Sequence, residues 1–294
     1  MKNNTNEPYC FQIELTKGCN RNCEFCGIYS LKNKEKVFMN IELAWLIVKN
    51  LSCWITKKRI EFAMHGEPLL NKDVCKIIKI FRGELLNSQL MLTTNGDVLI
   101  NETKLKLNKL FESGLNVLAI DCYENYEKRR KLFNENKPNN IKFFDSNEFN
   151  IYYYHSIKTK CIVVFDSLPK LTKDMKKKII NCAGNSNEFF SNKYGYKIIE
   201  KPLEKKCSKP FREMVIKSNG NITFCCNDWK EELVLGNIKE NLLENIWYSK
   251  KFIELRQRVF NKDRNFVPCN KCDYNGGFRI GLLKNPGLKN EKTI

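Results

Sequence analysis

Thr16-Lys17-Gly18-Cys19-Asn20-Arg21-Asn22-Cys23-Glu24-Phe25-Cys26 decides the reading of this chain. Cys19, Cys23 and Cys26 stand at C-x₃-C-x₂-C spacing, directly after Tyr9 to Leu15, where alternating residues predict a β-strand. Three thiolates on one short loop can hold three irons of a cubane iron–sulfur cluster and leave the fourth without a protein ligand. An iron open in that way is a binding site. The competing reading is a zinc knuckle or a chance group of structural cysteines. Zinc sites usually present C-x₂-C pairs with a second pair at finger-like distance, and here no cysteine follows before Cys53.

The 294 residues suit one large domain, or a large domain with a smaller one attached. A hydrophobic content of 42% is enough for a sizeable core. No run of about 18 apolar residues is present, and Met1 to Pro8 lacks the apolar stretch of a signal peptide. A cytoplasmic protein with no membrane partner is expected. Fourteen cysteines in such a chain point to metal or redox chemistry rather than disulfides. The net charge of +18 raises nucleic-acid binding. However, the basic residues are mostly Lys scattered along the chain amid abundant Asn. The densest runs, Lys173 to Lys178 and Lys128-Arg129-Arg130-Lys131, read as solvated helix faces. Nucleic acid is not expected as a partner.

Outward from the cysteine loop the chain alternates strand and helix. Asn40 to Cys53 carries Ile41, Ala44, Trp45, Ile47, Val48 and Leu51 at helical spacing, with Asn40 placed to cap them. Strands are predicted over Arg59 to Met64, Gln89 to Thr93 and Asn116 to Ile120, with helices over Lys72 to Leu86 and Glu102 to Ser113. Such alternation implies an α/β fold with a parallel sheet, whose sites form at the C-terminal strand ends. Between Tyr123 and Ile199 the pattern blurs; Asn150 to His155, Cys161 to Phe165 and Ile179 to Asn181 are candidate strands. Glu200 to Lys206 reads as a linker, dividing a core domain (8–199) from a smaller one (200–282). In the latter, Ser218-Asn219-Gly220 between two apolar runs predicts a β-hairpin, and Leu242 to Val259 one amphipathic helix with Ile246, Trp247, Phe252, Ile253 and Leu255 as its apolar set.

The cysteine spacing, with Phe25 before its last member, resembles the radical S-adenosylmethionine (SAM) enzymes. The resemblance implies a partial (β/α)₆, TIM-like barrel in which Cys19, Cys23 and Cys26 hold a [4Fe–4S] cluster. In that family SAM chelates the open iron, and an electron from the cluster cleaves it to a 5′-deoxyadenosyl radical. Met64-His65-Gly66-Glu67-Pro68 resembles the family's G-G-E-P motif, with His65 in place of the first glycine. A carboxylate at Glu67 can accept a hydrogen bond from the SAM ammonium, and Gly66 lets backbone approach the ligand. The neighbouring His65 is a candidate site contact, whereas His155 reads as structural. Thr93-Thr94-Asn95-Gly96 resembles the T-N-G element that lies close to SAM. Asp121 and Glu124, after the next strand, can serve ribose hydroxyls or a polar substrate.

Cys207, Gly220, Cys225, Cys269 and Cys272 resemble the first half of a SPASM domain, and with no cysteine after Cys272 the arrangement is similar to the Twitch variant, with one auxiliary cluster. A four-cysteine zinc ribbon is the competing reading. Four thiolates saturate a [4Fe–4S] cluster, which suits it to passing electrons rather than binding substrate. Two [4Fe–4S] clusters and SAM are thus the implied cofactors.

The likeness extends to the Twitch-bearing dehydrogenases of aminocyclitol pathways, through Gly66-Glu67-Pro68-Leu69-Leu70, Thr94-Asn95-Gly96-Asp97 and the text from Gly236-Asn237-Ile238 to Trp247. That implies oxidation of a ring alcohol on a small sugar- or cyclitol-like substrate, with a flavodoxin- or ferredoxin-type electron donor. Asn181-Cys182-Ala183-Gly184 departs from the Asn-Arg-Ala/Gly-Gly text of those enzymes, and Asn227 replaces an acidic residue, so the substrate does not carry over. Cys182 or Cys226 as a hydrogen-atom donor would give epimerisation instead. Peptide modification is a third chemistry, weakened by the short N-terminal segment. A two-cluster electron carrier is the non-enzyme alternative; it would produce no 5′-deoxyadenosine.

Overall fold

The computed structural model describes residues 7–23, 26, 35–52, 54, 58–64, 66–145, 159–167 and 199–274. Its strands are β1 (Cys10–Ile13), β2 (Thr16–Lys17), β3 (Val37–Phe38), β4 (Arg59–Phe62), β5 (Gln89–Thr94), β6 (Val117–Cys122), β7 (Lys142–Asp145), β8 (Cys161–Asp166), β9 (Glu213–Ile216), β10 (Asn221–Thr223) and β11 (Val234–Asn237). The helices are α1 (Ile41–Leu51), α2 (Val74–Glu84), α3 (Thr103–Glu112), α4 (Tyr126–Asn136), α5 (Lys209–Arg212), α6 (Leu243–Trp247) and α7 (Lys250–Phe260). Nine strands form one sheet in the order β11-β10-β9-β1-β4-β5-β6-β8-β7. From β9 to β7 every described pairing is parallel, while β9-β10 and β10-β11 are antiparallel. This is the mixed α/β, TIM-like architecture that the alternation of strands and helices anticipates.

Period-two patterning sorts the strand residues between the two faces. Phe11, Ile13, Ile60, Phe62, Leu90, Leu92, Leu118, Ile120, Ile162 and Val164 lie under the helices, all fully buried. Phe62 meets Phe81 of α2 edge-on at 5.1 Å between ring centroids. On α1 the Asn40 side chain accepts a hydrogen bond from the Leu43 amide at 2.9 Å, satisfying one of the first-turn donors.

The opposite face is chemically split. Met91, Val117, Ala119, Cys161 and Val163 form an apolar cluster with Phe144 and Phe165. Toward β9 the same face is polar: Gln12 donates to Glu213 at 3.3 Å, and Arg59 pairs with Glu61 at 2.7 Å. A sheet with a polar half-face inside its curve can hold a polar ligand there.

Several elements differ from the sequence reading. The strand after the linker pairs directly with β1, so the C-terminal hairpin continues the core sheet. The expected helix over Leu242 to Val259 is two helices, broken at Tyr248-Ser249, where the Ser249 hydroxyl caps α7 by accepting from the Phe252 amide. Trp45 and Ile253, expected in the core, are exposed. Helix α4 and strand β7 occupy part of the stretch whose pattern was blurred. The candidate strands Asn150 to His155 and Ile179 to Asn181 lie outside the described residues.

Candidate active site and auxiliary cysteine cavity

The cysteine loop leaves the sheet at the C-terminal end of β1, the edge where the sequence places it. Gly18 bridges to Gly66 after β4, and the Glu67 amide donates to the Gly18 carbonyl at 3.0 Å. Gly18 holds φ at +114°, a conformation that favours glycine. Gly66 is required for a different reason: a Cβ there would sit 1.9 Å from the Thr16 carbonyl oxygen. Loop and motif are therefore stacked backbone on backbone.

Glu67 is buried, and both its oxygens face protein donors. Oε1 accepts from the Thr94 hydroxyl at 2.6 Å and the Leu69 amide at 3.0 Å; Oε2 accepts from the Asn95 amide at 2.8 Å. These three bonds buckle the Gly66-Glu67-Pro68 turn to the Thr94-Asn95 strand end, and a carboxylate, with about four acceptor positions, keeps one for a further donor. Burial outweighs those three donors and raises its pKa to about 7. A carboxyl raised in the fold contributes stability below its unfolded value, and that contribution is lost as pH rises through about 7. Relative to Glu67→Gln, wild type should lose about 3 kcal/mol between pH 4.5 and 8. Thermal unfolding of both proteins across that range checks this; a constant difference in Tm would show that Glu67 ionises normally.

Cys19 Sγ accepts from the Arg21 amide at 3.4 Å and lies 3.6 Å from Asn95 Nδ2. Asn95 also donates to Asn20 Oδ1 at 2.8 Å. Burial raises the Cys19 and Cys23 thiols above their ordinary range, so iron binding must displace their protons. A set of charges fixes the loop, joining the candidate Glu124 and Asp97 to two arginines that sequence reasoning missed. Arg21 forks onto both oxygens of Asp97 at 2.6 Å each and reaches Glu124 at 2.7 Å. Arg129 pairs with Asp97 at 2.8 Å and with Glu124 at 3.2 Å, and donates to the Asn95 carbonyl at 3.1 Å. Burial works against the charge of Asp97, but the two guanidinium groups prevail and hold its carboxyl below the usual range. Arg129, read as part of a solvated basic face, is instead buried against the site.

Asp121, on the inner face of β6, accepts from the Ser167 hydroxyl at 2.8 Å, and burial raises its carboxyl. Pro68 opens the 3-10 turn that Glu67 caps. Phe25, His65 and Cys182 lie outside the described residues.

Cys207, Cys225, Cys269 and Cys272 line one cavity with Lys209, Pro210, Phe224, Asn227, Val259, Arg264 and Tyr274. Burial pushes the Cys269 thiol far up, reinforced by its neighbours Cys272 and Cys207. Four thiols lining one cleft fit an all-cysteine iron–sulfur cluster. A zinc ion could be held by the same four sulfurs, each about 2.3 Å from it, and metal analysis distinguishes the two. Cys226 does not line this cavity; its thiol accepts from Lys209 Nζ at 3.1 Å.

Comparisons with known proteins agree with this arrangement. The model of the radical SAM superfamily matches residues 13–146, and that of the SPASM iron–sulfur cluster-binding domain matches residues 207–273. The chain is 26% identical over 268 residues to the S-adenosyl-L-methionine-dependent 2-deoxy-scyllo-inosamine dehydrogenase of Niallia circulans, spanning 89% of this chain and 91% of that protein. Its fold is similar to the crystal structure of BtrN in complex with AdoMet and 2-DOIA, with a TM-score of 0.65 at 22% identity over 91% of this chain and 93% of that one. Native anSMEcpe with bound AdoMet has a TM-score of 0.55 at 17% identity, covering 86% and 84%. With a three-cysteine loop seated on the Gly66-Glu67-Pro68 turn and a second, four-cysteine cavity, the chain carries a radical SAM domain followed by a C-terminal SPASM-type iron–sulfur domain.

Proposed function

We propose that this radical SAM oxidoreductase oxidises a secondary alcohol of a small sugar- or cyclitol-like molecule to a ketone. The observation that carries the reading is the second cavity, whose four thiols leave no ligand position for substrate and so favour an electron sink. The 26% identity to a dehydrogenase over nearly the whole of both chains supports it. Residues 8–199 would form the SAM core and 200–282 the auxiliary domain, with Cys19, Cys23 and Cys26 on one cluster and Cys207, Cys225, Cys269 and Cys272 on the other. When bound, these groups supply a 5′-deoxyadenosyl radical that removes a hydrogen atom from substrate, and an acceptor for the electron then left behind.

The protein's own part is seating and shielding. Glu67, Thr94 and Asn95 shape the SAM seat, the Arg21-Asp97-Arg129 network holds the loop against it, and the polar half-face of β1, β4 and β9 offers groups to hydroxyls. Asp121, near the C-terminal end of β6, would serve ribose or substrate hydroxyls. A flavodoxin- or ferredoxin-type protein would deliver the first electron. The test is anaerobic turnover with a panel of cyclitols and sugars. One ketone per 5′-deoxyadenosine, with no deuterium gained from solvent, supports oxidation; an epimer carrying solvent deuterium would overturn it in favour of redox-neutral chemistry.

A further inference from the structure

Two cations are built into the four-cysteine cavity. Arg264, only 2% exposed, spends its three nitrogens on main-chain carbonyls: Nε to Lys205 at 2.7 Å, Nη2 to Lys206 at 2.9 Å and Nη1 to Tyr274 at 2.7 Å. None of those partners is a carboxylate, so the bonds that fix the guanidinium leave its charge uncancelled beside the thiols. They also clamp the chain just before Cys207 to the chain just after Cys272. Lys209 enters from the other side, with Nζ 3.1 Å from Cys226 Sγ and about the ring of Tyr274 at 5.2 Å. Its carboxylate neighbour, Glu213, is 3.6 Å away and is shared with Arg212 and Gln12. On the negative side, Asp228 has both oxygens engaged by the amides of Glu232 and Leu233.

We propose that Arg264 and Lys209 set the electron affinity of the auxiliary cluster, raising its reduction potential so that it can take the electron released on substrate oxidation. The inference rests on the reading that the cavity holds a [4Fe–4S] cluster. In the step concerned, the substrate radical would lose one electron and, from its hydroxyl group, one proton to water as its C–O bond becomes a carbonyl, and a cluster held by Cys207, Cys225, Cys269 and Cys272 would take the electron. Reduction adds a negative charge to a group already bound by four thiolates, and net charge, hydrogen bonding and burial set the potential of such a group. Buried cations at short range favour the more negative state, and a low local dielectric enlarges the effect. Both residues act through the cluster and are positioning residues.

The test uses the full chain with Cys19, Cys23 and Cys26 replaced by alanine, so that only the auxiliary cluster reports. Anaerobic redox titration followed by electron paramagnetic resonance compares this parent with Arg264→Lys, Arg264→Gln and Lys209→Met. Arg264→Gln and Lys209→Met should each lower the reduced-to-oxidised ratio at fixed poise at least tenfold, a shift of about 59 mV to more negative potential. Arg264→Lys, which keeps the charge but weakens the clamp, should stay with the parent. Full iron content with an unmoved midpoint in Arg264→Gln would overturn the proposal alone. If Arg264→Gln loses its iron, Lys209→Met decides, and an unmoved midpoint there overturns it. A parent that takes up zinc in place of about four irons overturns the cluster reading and the proposal with it.

Discussion

Gly66→Ala is expected to abolish SAM cleavage and to cost about 4 kcal/mol or more of stability, at the extreme end for a single substitution. The added methyl group would lie 1.9 Å from the Thr16 carbonyl oxygen and 2.5 Å from that of Gly18. Both obstacles are main chain, so no side-chain rotation relieves the clash. The Gly18 to Gly66 bridge and the Glu67 to Gly18 hydrogen bond would have to open, and the loop bearing Cys19, Cys23 and Cys26 would lose its seat. Gly83→Ala is the matched control: it lies in α2 with nothing within 4 Å of an added Cβ. Exchanging glycine for alanine within a helix should stabilise by about 0.5–1 kcal/mol. Thermal unfolding and a 5′-deoxyadenosine assay on both variants check the contrast; a Gly66→Ala protein with wild-type Tm and cleavage would contradict it.

Lys217→Met should be nearly as damaging, by about 3–5 kcal/mol. Lys217 Nζ lies 2.9 Å from Glu14 Oε1, with the two side chains 0% and 1% exposed. The other oxygen of Glu14 accepts from the Ser218 amide at 3.1 Å and its hydroxyl at 3.0 Å. The pair thus rivets the end of β1, just before the cysteine loop, to the hairpin that precedes Cys225. Removing the lysine alone leaves a carboxylate buried without its cation, the costly half of such a substitution. The double variant Glu14→Gln/Lys217→Met, which removes both charges, should recover most of the loss. Chemical denaturation of the two single and the double variants measures the coupling. Additive losses would show that the residues do not act as a pair.

The chemistry-bearing text was legible because it is local. Cys19, Cys23 and Cys26 share one loop, and Gly66 and Asn95 each end a strand whose alternation is readable without any partner. Cys207, Cys225, Cys269 and Cys272 carry a spacing specific enough to be joined across 65 positions in sequence. What escaped is pairing over long separation. Glu14 and Lys217 are 203 residues apart, and nothing in either's neighbours marks it as buried. Arg129 sat in a run of four cations, where composition favours solvent; only the fold shows that one of the four turns inward to Asp97. The helix break at Ser249 was hidden by a continuous apolar pattern, since a cap interrupts the hydrogen bonding and not the hydrophobicity. The internal partners of Glu67 were hidden for the same kind of reason: its three donors come from Leu69, Thr94 and Asn95, and two of them belong to another strand end.

The measurement that tests the account most directly is iron and acid-labile sulfide per chain after anaerobic reconstitution. It is made on wild type and on the variant with Cys19, Cys23 and Cys26 replaced by alanine. Two cubane clusters require about eight irons in wild type and about four in the variant. About four irons with one zinc in wild type, and zinc alone in the variant, would contradict the electron-accepting role of the four-cysteine cavity.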